Sequence, residues 1–165
     1  MQPLLVVMGV TGSGKSTVGE LLADELGIPF ADADHLHSEA NVQKMAAGHP
    51  LTDEDRWPWL QRVGEVLREH EGTGLVMACS ALKRAYREAI LAVEPRTEFI
   101  LLDGARELLE WRLSRRHGHF MPESLLDSQL ATLEPLGADE LGITVSIDPA
   151  PNEIVADIRS KLGAL

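Results

Sequence analysis

The sequence predicts an α/β domain: a parallel sheet of about five strands flanked by helices. Three observations predict it. Short apolar runs alternate with segments of helical periodicity along the whole chain. A glycine-rich loop joins the first run to the first helical segment. No repeat, low-complexity tract or linker divides the 165 residues, so 1–165 reads as one domain.

Leu4 to Met8 is an apolar run closed by Gly9, as expected of a strand buried on both faces. From Lys15 to Leu26, Val18, Leu21, Leu22 and Leu26 keep helical spacing, and Gly27 and Pro29 stop the helix. Ile28 to Ala31 reads as a second strand ending at Asp32 and Asp34, and Ser38 to Ala47 as a short helix. Asp53 is expected to cap the next helix, whose apolar face is Trp59, Leu60, Val63, Val66 and Leu67, with Gly72 and Gly74 breaking it. Leu75 to Cys79 is a third strand, and helical spacing returns from Leu82 to Val93. Phe99 to Leu102 is a fourth strand ending at Asp103. Helices follow at about Arg106 to His117 and within Met121 to Leu133. Ile143 to Ile147 is the last strand and Asn152 to Leu162 the last helix.

Composition narrows the function classes. A formal net charge of −11 argues against nucleic acid, whose phosphates require a basic face. A small anionic substrate stays open, because a few cations in one cleft set the local field. No apolar run approaches the ~20 residues of a membrane span. The start, MQPLLVVMGVTG, has no basic residue before its apolar run, so it reads as a strand and not a signal peptide. The single cysteine, Cys79, excludes an internal disulfide and a cysteine zinc cluster, and a cytoplasmic protein is expected.

Gly9-Val10-Thr11-Gly12-Ser13-Gly14-Lys15-Ser16 matches G-x-x-x-x-G-K-[ST] between a strand and a helix, the context that marks a phosphate-binding P-loop. Gly12 and Gly14 let the backbone curl so that its N–H groups converge on phosphate oxygens, and the helix N-terminus adds partial positive charge. Lys15 is expected to reach the β- and γ-phosphates, and the Ser16 hydroxyl to ligate Mg²⁺. ATP with Mg²⁺ is the expected ligand of Gly9 to Thr17.

The acids decide what kind of P-loop protein this is. No N-K-x-D motif of a guanine-specific switch is present, and the third strand ends in Cys79-Ser80 rather than an acid. Asp103 ends a strand, either as a metal ligand or simply as the lead into a helix. In FADADHLH, Phe30 to His37, Asp32 and Asp34 would share a face if both lay on a strand. One can serve the metal shell, and the other can orient or deprotonate an alcohol. A capped turn is the plainer reading of each. His35 and His37 lack the cysteines of a structural zinc site; one of them can hydrogen-bond substrate.

Taken together, several segments resemble the small gluconate kinases (gluconokinases) of the P-loop kinase group. These are GVTGSGKST at Gly9 to Thr17, DADHLH at Asp32 to His37, NVQKMAAGHPLTDEDRWPWL at Asn41 to Leu60, CSALKRAYRE at Cys79 to Glu88, and RLSRRHGHFMPESLLDSQLATLEP at Arg112 to Pro135. The resemblance spans nearly the whole chain. It implies a nucleoside-monophosphate-kinase-like fold with a mobile helical lid at about 112–135. It also implies phosphorylation of D-gluconate at its 6-hydroxyl by ATP, and a homodimer as one open state. On this pattern Lys15, Asp34 and Arg116 are the catalytic candidates. Arg112 and Arg116, four apart, share a helical face and would close on ATP phosphates. Asp34, His35, Arg56, Lys83 and His119 are the substrate candidates, and Ser16 and Asp32 the metal ligands.

Some of these residues keep a plainer alternative. Arg56 can ion-pair with Asp53 or Asp55, Arg87 can be structural, and Trp59 can be core rather than a sugar platform. The rival functions are another small-molecule kinase such as a shikimate kinase, and a nucleotide-binding regulatory module.

Overall fold

The computed structural model describes residues 2–114 and 123–162. Its strands are β1 (Leu4–Met8), β2 (Phe30–Asp32), β3 (Leu75–Ala78), β4 (Glu98–Asp103) and β5 (Gly142–Ser146). Its helices are α1 (Lys15–Leu26), α2 (Glu39–Ala46), α3 (Asp53–Glu69), α4 (Arg84–Val93), α5 (Arg106–Ser114), α6 (Glu123–Thr132) and α7 (Pro151–Lys161). The strands form one parallel sheet in the order β2-β3-β1-β4-β5. No helix among the described residues is long and apolar enough to cross a membrane.

The near-continuous apolar strands are buried because the sheet is covered on both faces. Alternate residues divide between two cores. Leu5 and Val7 of β1, Val76 of β3, and Ile100 and Leu102 of β4 pack with α1 and α7 residues. Leu4, Val6, Met8, Leu75, Met77, Phe99 and Leu101 pack with α3 and α4 residues. Gly64 allows α3 to lie close against α4, since a Cβ there would meet Val93 Cβ at 2.6 Å. The chain lays β2 and β3 on one side of β1 and then crosses to β4 on the other. The end of β1 is therefore a topological switch point, where open α/β sheets bind ligands.

Two local expectations are corrected. The second strand begins at Phe30, not Ile28, because Gly27 (φ 67°) and the Ile28 N–H (3.0 Å to Ala23 O) are used to close α1. It also ends at Asp32. Ala33–Leu36 turn into a 3₁₀ helix, so Asp32 and Asp34 do not share a strand face. The N-cap of α3 is Thr52, not Asp53. The Thr52 hydroxyl accepts the Asp55 N–H at 3.1 Å, and the Asp55 carboxylate accepts the Thr52 N–H at 2.8 Å, a reciprocal capping box.

Candidate active site

The loop from Gly9 to Gly14 wraps around the N-terminus of α1. Gly12 (φ 82°) and Gly14 (φ 91°) take backbone conformations that L side chains rarely adopt. Gly14 is the N-cap of α1. No side chain caps this end and its first turn carries no acid, which leaves its N–H groups to an anion. The Lys15 ammonium donates to the Gly9 and Val10 carbonyls at 3.0 and 3.2 Å, lying back along the loop.

Two helices close on this loop. Leu113 of α5 packs against Gly12, and Arg112 reaches across to donate to Ser13 O (3.4 Å) and Ile147 O (3.0 Å). A cleft of about 250 Å³ lies beside it, lined by Gly12, Gly14, Thr17, Arg112, Pro151 and Ile154 among others. From α6, Gln129 Oε1 accepts the Thr11 N–H at 2.6 Å.

At the mouth of the loop the Ser16 hydroxyl donates to Asp32 Oδ2 at 3.4 Å. Asp32 Oδ1 accepts the Asp34 N–H at 2.9 Å, so Asp32 both faces the loop and caps the 3₁₀ turn that carries Asp34. The turn presents Asp34 and His35 to solvent. His37 goes the other way. Its ring stacks on Trp59 with centroids 4.2 Å apart, and its Nδ1 lies 3.3 Å from Asn41 Nδ2. Burial pulls the His37 pKa down, with Asp34 opposing and Arg56 adding to the shift. Asn41 Nδ2 also donates to Asp55 O at 2.9 Å. Trp59 is core, its indole N–H donating to Ala33 O at 2.7 Å. Asp103 ends β4 exposed, and its carboxylate bonds to no side chain among the described residues. Burial pushes the Cys79 thiol up to about 12, so it stays protonated.

The two cations expected to hold a substrate carboxylate, Arg56 and Lys83, are brought together across Tyr86. Arg56 lies over one part of the Tyr86 ring at 5.5 Å and Lys83 at 5.4 Å from the centroid. The Tyr86 hydroxyl accepts from Arg56 (3.2 Å) and donates to Asp53 Oδ1 (2.5 Å), which also lies 3.4 Å from Lys83 Nζ and 3.8 Å from Arg56. Burial and then the Asp53 carboxylate push the phenol up, and the Tyr86 hydroxyl holds the Asp53 carboxyl down. Arg56 is therefore part of an ion-pair cluster with Asp53. Asp55 is occupied elsewhere, by Lys44 at 2.5 Å.

Arg87 is structural and wholly buried rather than a surface group. It forks onto Glu140 at 2.7 and 3.0 Å and donates to the carbonyls of Ala81, Leu82 and Pro135. Ala81 carries a positive φ of 35° with no exposure, so the loop bearing Lys83 is a strained turn held by a buried guanidinium. Arg116 and His119 lie outside the described residues, as does Arg115. One residue of this region has no place in the sequence reading. Tyr86, the chain's one tyrosine, could have been found from its place one turn after Lys83. Asp53, expected as a cap or as a partner of Arg56, is the partner and not the cap. Gln129 matches the family pattern of the resemblance but has no role derivable from sequence, because its contact with the loop spans 118 positions.

Comparison with known proteins gives these positions a family. The family model described as shikimate kinase matches residues 11–157. The gluconokinase of Gluconobacter oxydans is 51% identical over 93% of this chain and 88% of its own. The thermoresistant gluconokinase of Escherichia coli is 42% identical over 93% of this chain and 89% of its own. The crystal structure of a gluconokinase from Sinorhizobium meliloti superposes with a TM-score of 0.88 at 44% identity, covering 97% of this chain and 91% of that one.

Proposed function

The chain belongs to the gluconokinase family, and on that premise we propose that it transfers the γ-phosphoryl group of ATP to the 6-hydroxyl of D-gluconate, giving 6-phospho-D-gluconate. The observation that carries this reading is the Arg56–Lys83 pair set across Tyr86, with Arg56 in the first turn of α3 and Lys83 on the loop that leads from β3 to α4. A pair of cations suits a sugar acid; a neutral polyol would need none.

ATP is the phosphoryl donor of a kinase family, and the cradle fits it. The N–H groups of Gly12 to Thr17 bind phosphate oxygens, and Lys15 exchanges its two carbonyl partners for the β- and γ-phosphates. The cleft beside Arg112, Pro151 and Ile154 takes the nucleoside end. Ser16 and Asp32, an oxygen-only pair 3.4 Å apart at the cradle's mouth, fit Mg²⁺. When bound there, Mg²⁺ supplies positive charge to the phosphate oxygens. Asp34 stands on the turn that Asp32 caps. It orients the acceptor hydroxyl and takes its proton as the new P–O bond forms in line with the leaving ADP. His35 is on the same exposed turn and is the candidate to hydrogen-bond a polyol hydroxyl. Arg56 and Lys83 take the carboxylate at the far end, and Asp53 and Tyr86 keep the pair in place between turnovers.

The shikimate kinase model matches residues 11–157, so the frame alone does not choose between the two acceptors; the 51% identity to a gluconokinase over 93% of the chain favours gluconate. The reaction suits the cytoplasm, where ATP is supplied and the lone thiol stays reduced. A homodimer is compatible with it. Asp34→Asn is expected to lower kcat by about 10²-fold with the ATP KM little changed. Near-normal kcat would remove Asp34 from the chemistry. A panel of sugar acids and alcohols, scored by acceptor-dependent ADP release, tests the substrate class.

A further inference from the structure

The nucleotide cradle has an end that the motif does not explain. Lys15 Nζ lies on the Gly9 and Val10 carbonyls, and a P-loop lysine serves the β- and γ-phosphates. The next residue, Thr11, therefore stands at the terminal-phosphate end of the loop. The nucleoside cleft is lined by Gly12, Gly14, Thr17, Pro151 and Ile154, and so runs from the loop along α1 toward α7, whereas Thr11 is not among its lining residues. Thr11 is nearly buried, and its N–H is bonded by the side chain of Gln129.

Only the amide oxygen can accept an N–H, so the bond fixes which way Gln129 points: Oε1 toward Thr11, Nε2 away. Nε2 donates to no group among the described residues. It is a neutral N–H₂ donor on the same planar group, so it cannot leave the neighbourhood of Thr11 while Oε1 is held. The helix behind it is firmly seated. Leu126, one turn earlier on α6, is fully buried, and Leu130 and Leu133 pack on the same core. Just beyond α6, the Glu134 N–H donates to Leu82 O at 2.8 Å, and Glu134 Oε1 accepts the Arg84 N–H at 3.0 Å. The α6 segment thus joins the phosphate loop directly to the loop that carries Lys83.

We infer that Gln129 is a γ-phosphate-contacting residue. It is anchored on the Thr11 N–H through its oxygen and donates through Nε2 to a terminal phosphate oxygen, so that α6 distinguishes a bound triphosphate from a diphosphate. The inference rests on the placement of ATP given above and not on the identity of the acceptor.

The test is calorimetric binding of Mg-ADP and of a non-hydrolysable Mg-ATP analogue, without gluconate, to the full chain and two variants. Gln129→Leu removes both ends of the amide. It is expected to weaken the triphosphate analogue about 10-fold or more, the scale of a hydrogen bond to a charged group, with ADP affinity within about 2-fold. Gln129→Glu keeps the acceptor for Thr11 but replaces the donor by a negative charge, and it is expected to show a larger loss confined to the triphosphate. Retained ADP binding reports an intact fold in the same experiment. Equal weakening of both nucleotides, or no change in either, in both variants would make Gln129 a structural strut and overturn the inference. Failure of the unaltered chain to bind ADP would instead overturn the nucleotide placement itself.

Discussion

Arg87→Met tests how the acceptor side is built. In the unaltered chain the guanidinium has no exposure and makes five contacts: two to Glu140, and one each to the carbonyls of Ala81, Leu82 and Pro135. Methionine keeps much of the stem but none of the donors. The Leu82 carbonyl remains bonded to the Glu134 N–H, and Pro135 is exposed, so water can replace its partner. The Ala81 carbonyl, buried in a strained turn, is left unpaired, at about 1–3 kcal/mol. The Glu140 side chain, 6% exposed, loses its buried counter-ion. Breaking such a pair from one side costs about 3–5 kcal/mol in total, or a fall in Tm of roughly 6–20 °C for a chain of this size. Chemical denaturation of Arg87→Met measures it directly. The Arg87→Met/Glu140→Leu double variant is expected to recover part of the loss, because no buried charge is left alone. A loss below about 1 kcal/mol in the single variant, or a double variant worse than the sum of the singles, would refute the assignment of Arg87 as the buried organiser of the Lys83 loop.

Two further outcomes follow from the same geometry. Tyr86→Phe keeps the ring between Arg56 and Lys83 but removes the hydroxyl that separates Arg56 from Asp53. The gluconate KM is expected to rise about 5- to 10-fold, the worth of one hydrogen bond, with the ATP KM unchanged; an effect on ATP alone would contradict the placement. Asp55→Asn removes a carboxyl held at about 2, below its ordinary 3.8, first by Lys44 and then by the Thr52 N–H. A depressed carboxyl stabilises the fold above its unfolded pKa and loses that contribution as pH falls through the folded one. The variant should therefore melt lower than the unaltered chain at pH 7, and the two melting curves should converge as pH falls from about 4 to about 2. A gap that persists at the low end would assign Asp55 a role outside the capping box.

What the sequence made legible was whatever is decided locally. Strands buried on both faces read as apolar runs, Gly27 ends α1, and the P-loop spelled out its own strand–loop–helix context. Errors arose where two local signals competed. Asp53 and Thr52 are both good caps, but only Thr52 has an acidic residue three positions on to complete the box. Asp32 and Asp34 alternate as strand residues would, yet Asp32 prefers to accept the Asp34 N–H, and that bond turns the chain into a 3₁₀ helix. Arg87 and Gln129 lie deeper still. Their partners, Glu140 and Thr11, stand 53 and 118 positions away, and only the folded sheet brings them together.

The central claim is the acceptor. The most direct measurement couples ADP release from Mg-ATP, with and without D-gluconate, to oxidation of the product by 6-phosphogluconate dehydrogenase. The account predicts gluconate-dependent ADP release matched one-for-one by 6-phosphogluconate. ADP release driven only by some other acceptor would contradict the substrate, and the absence of acceptor-dependent turnover would contradict the kinase reading itself.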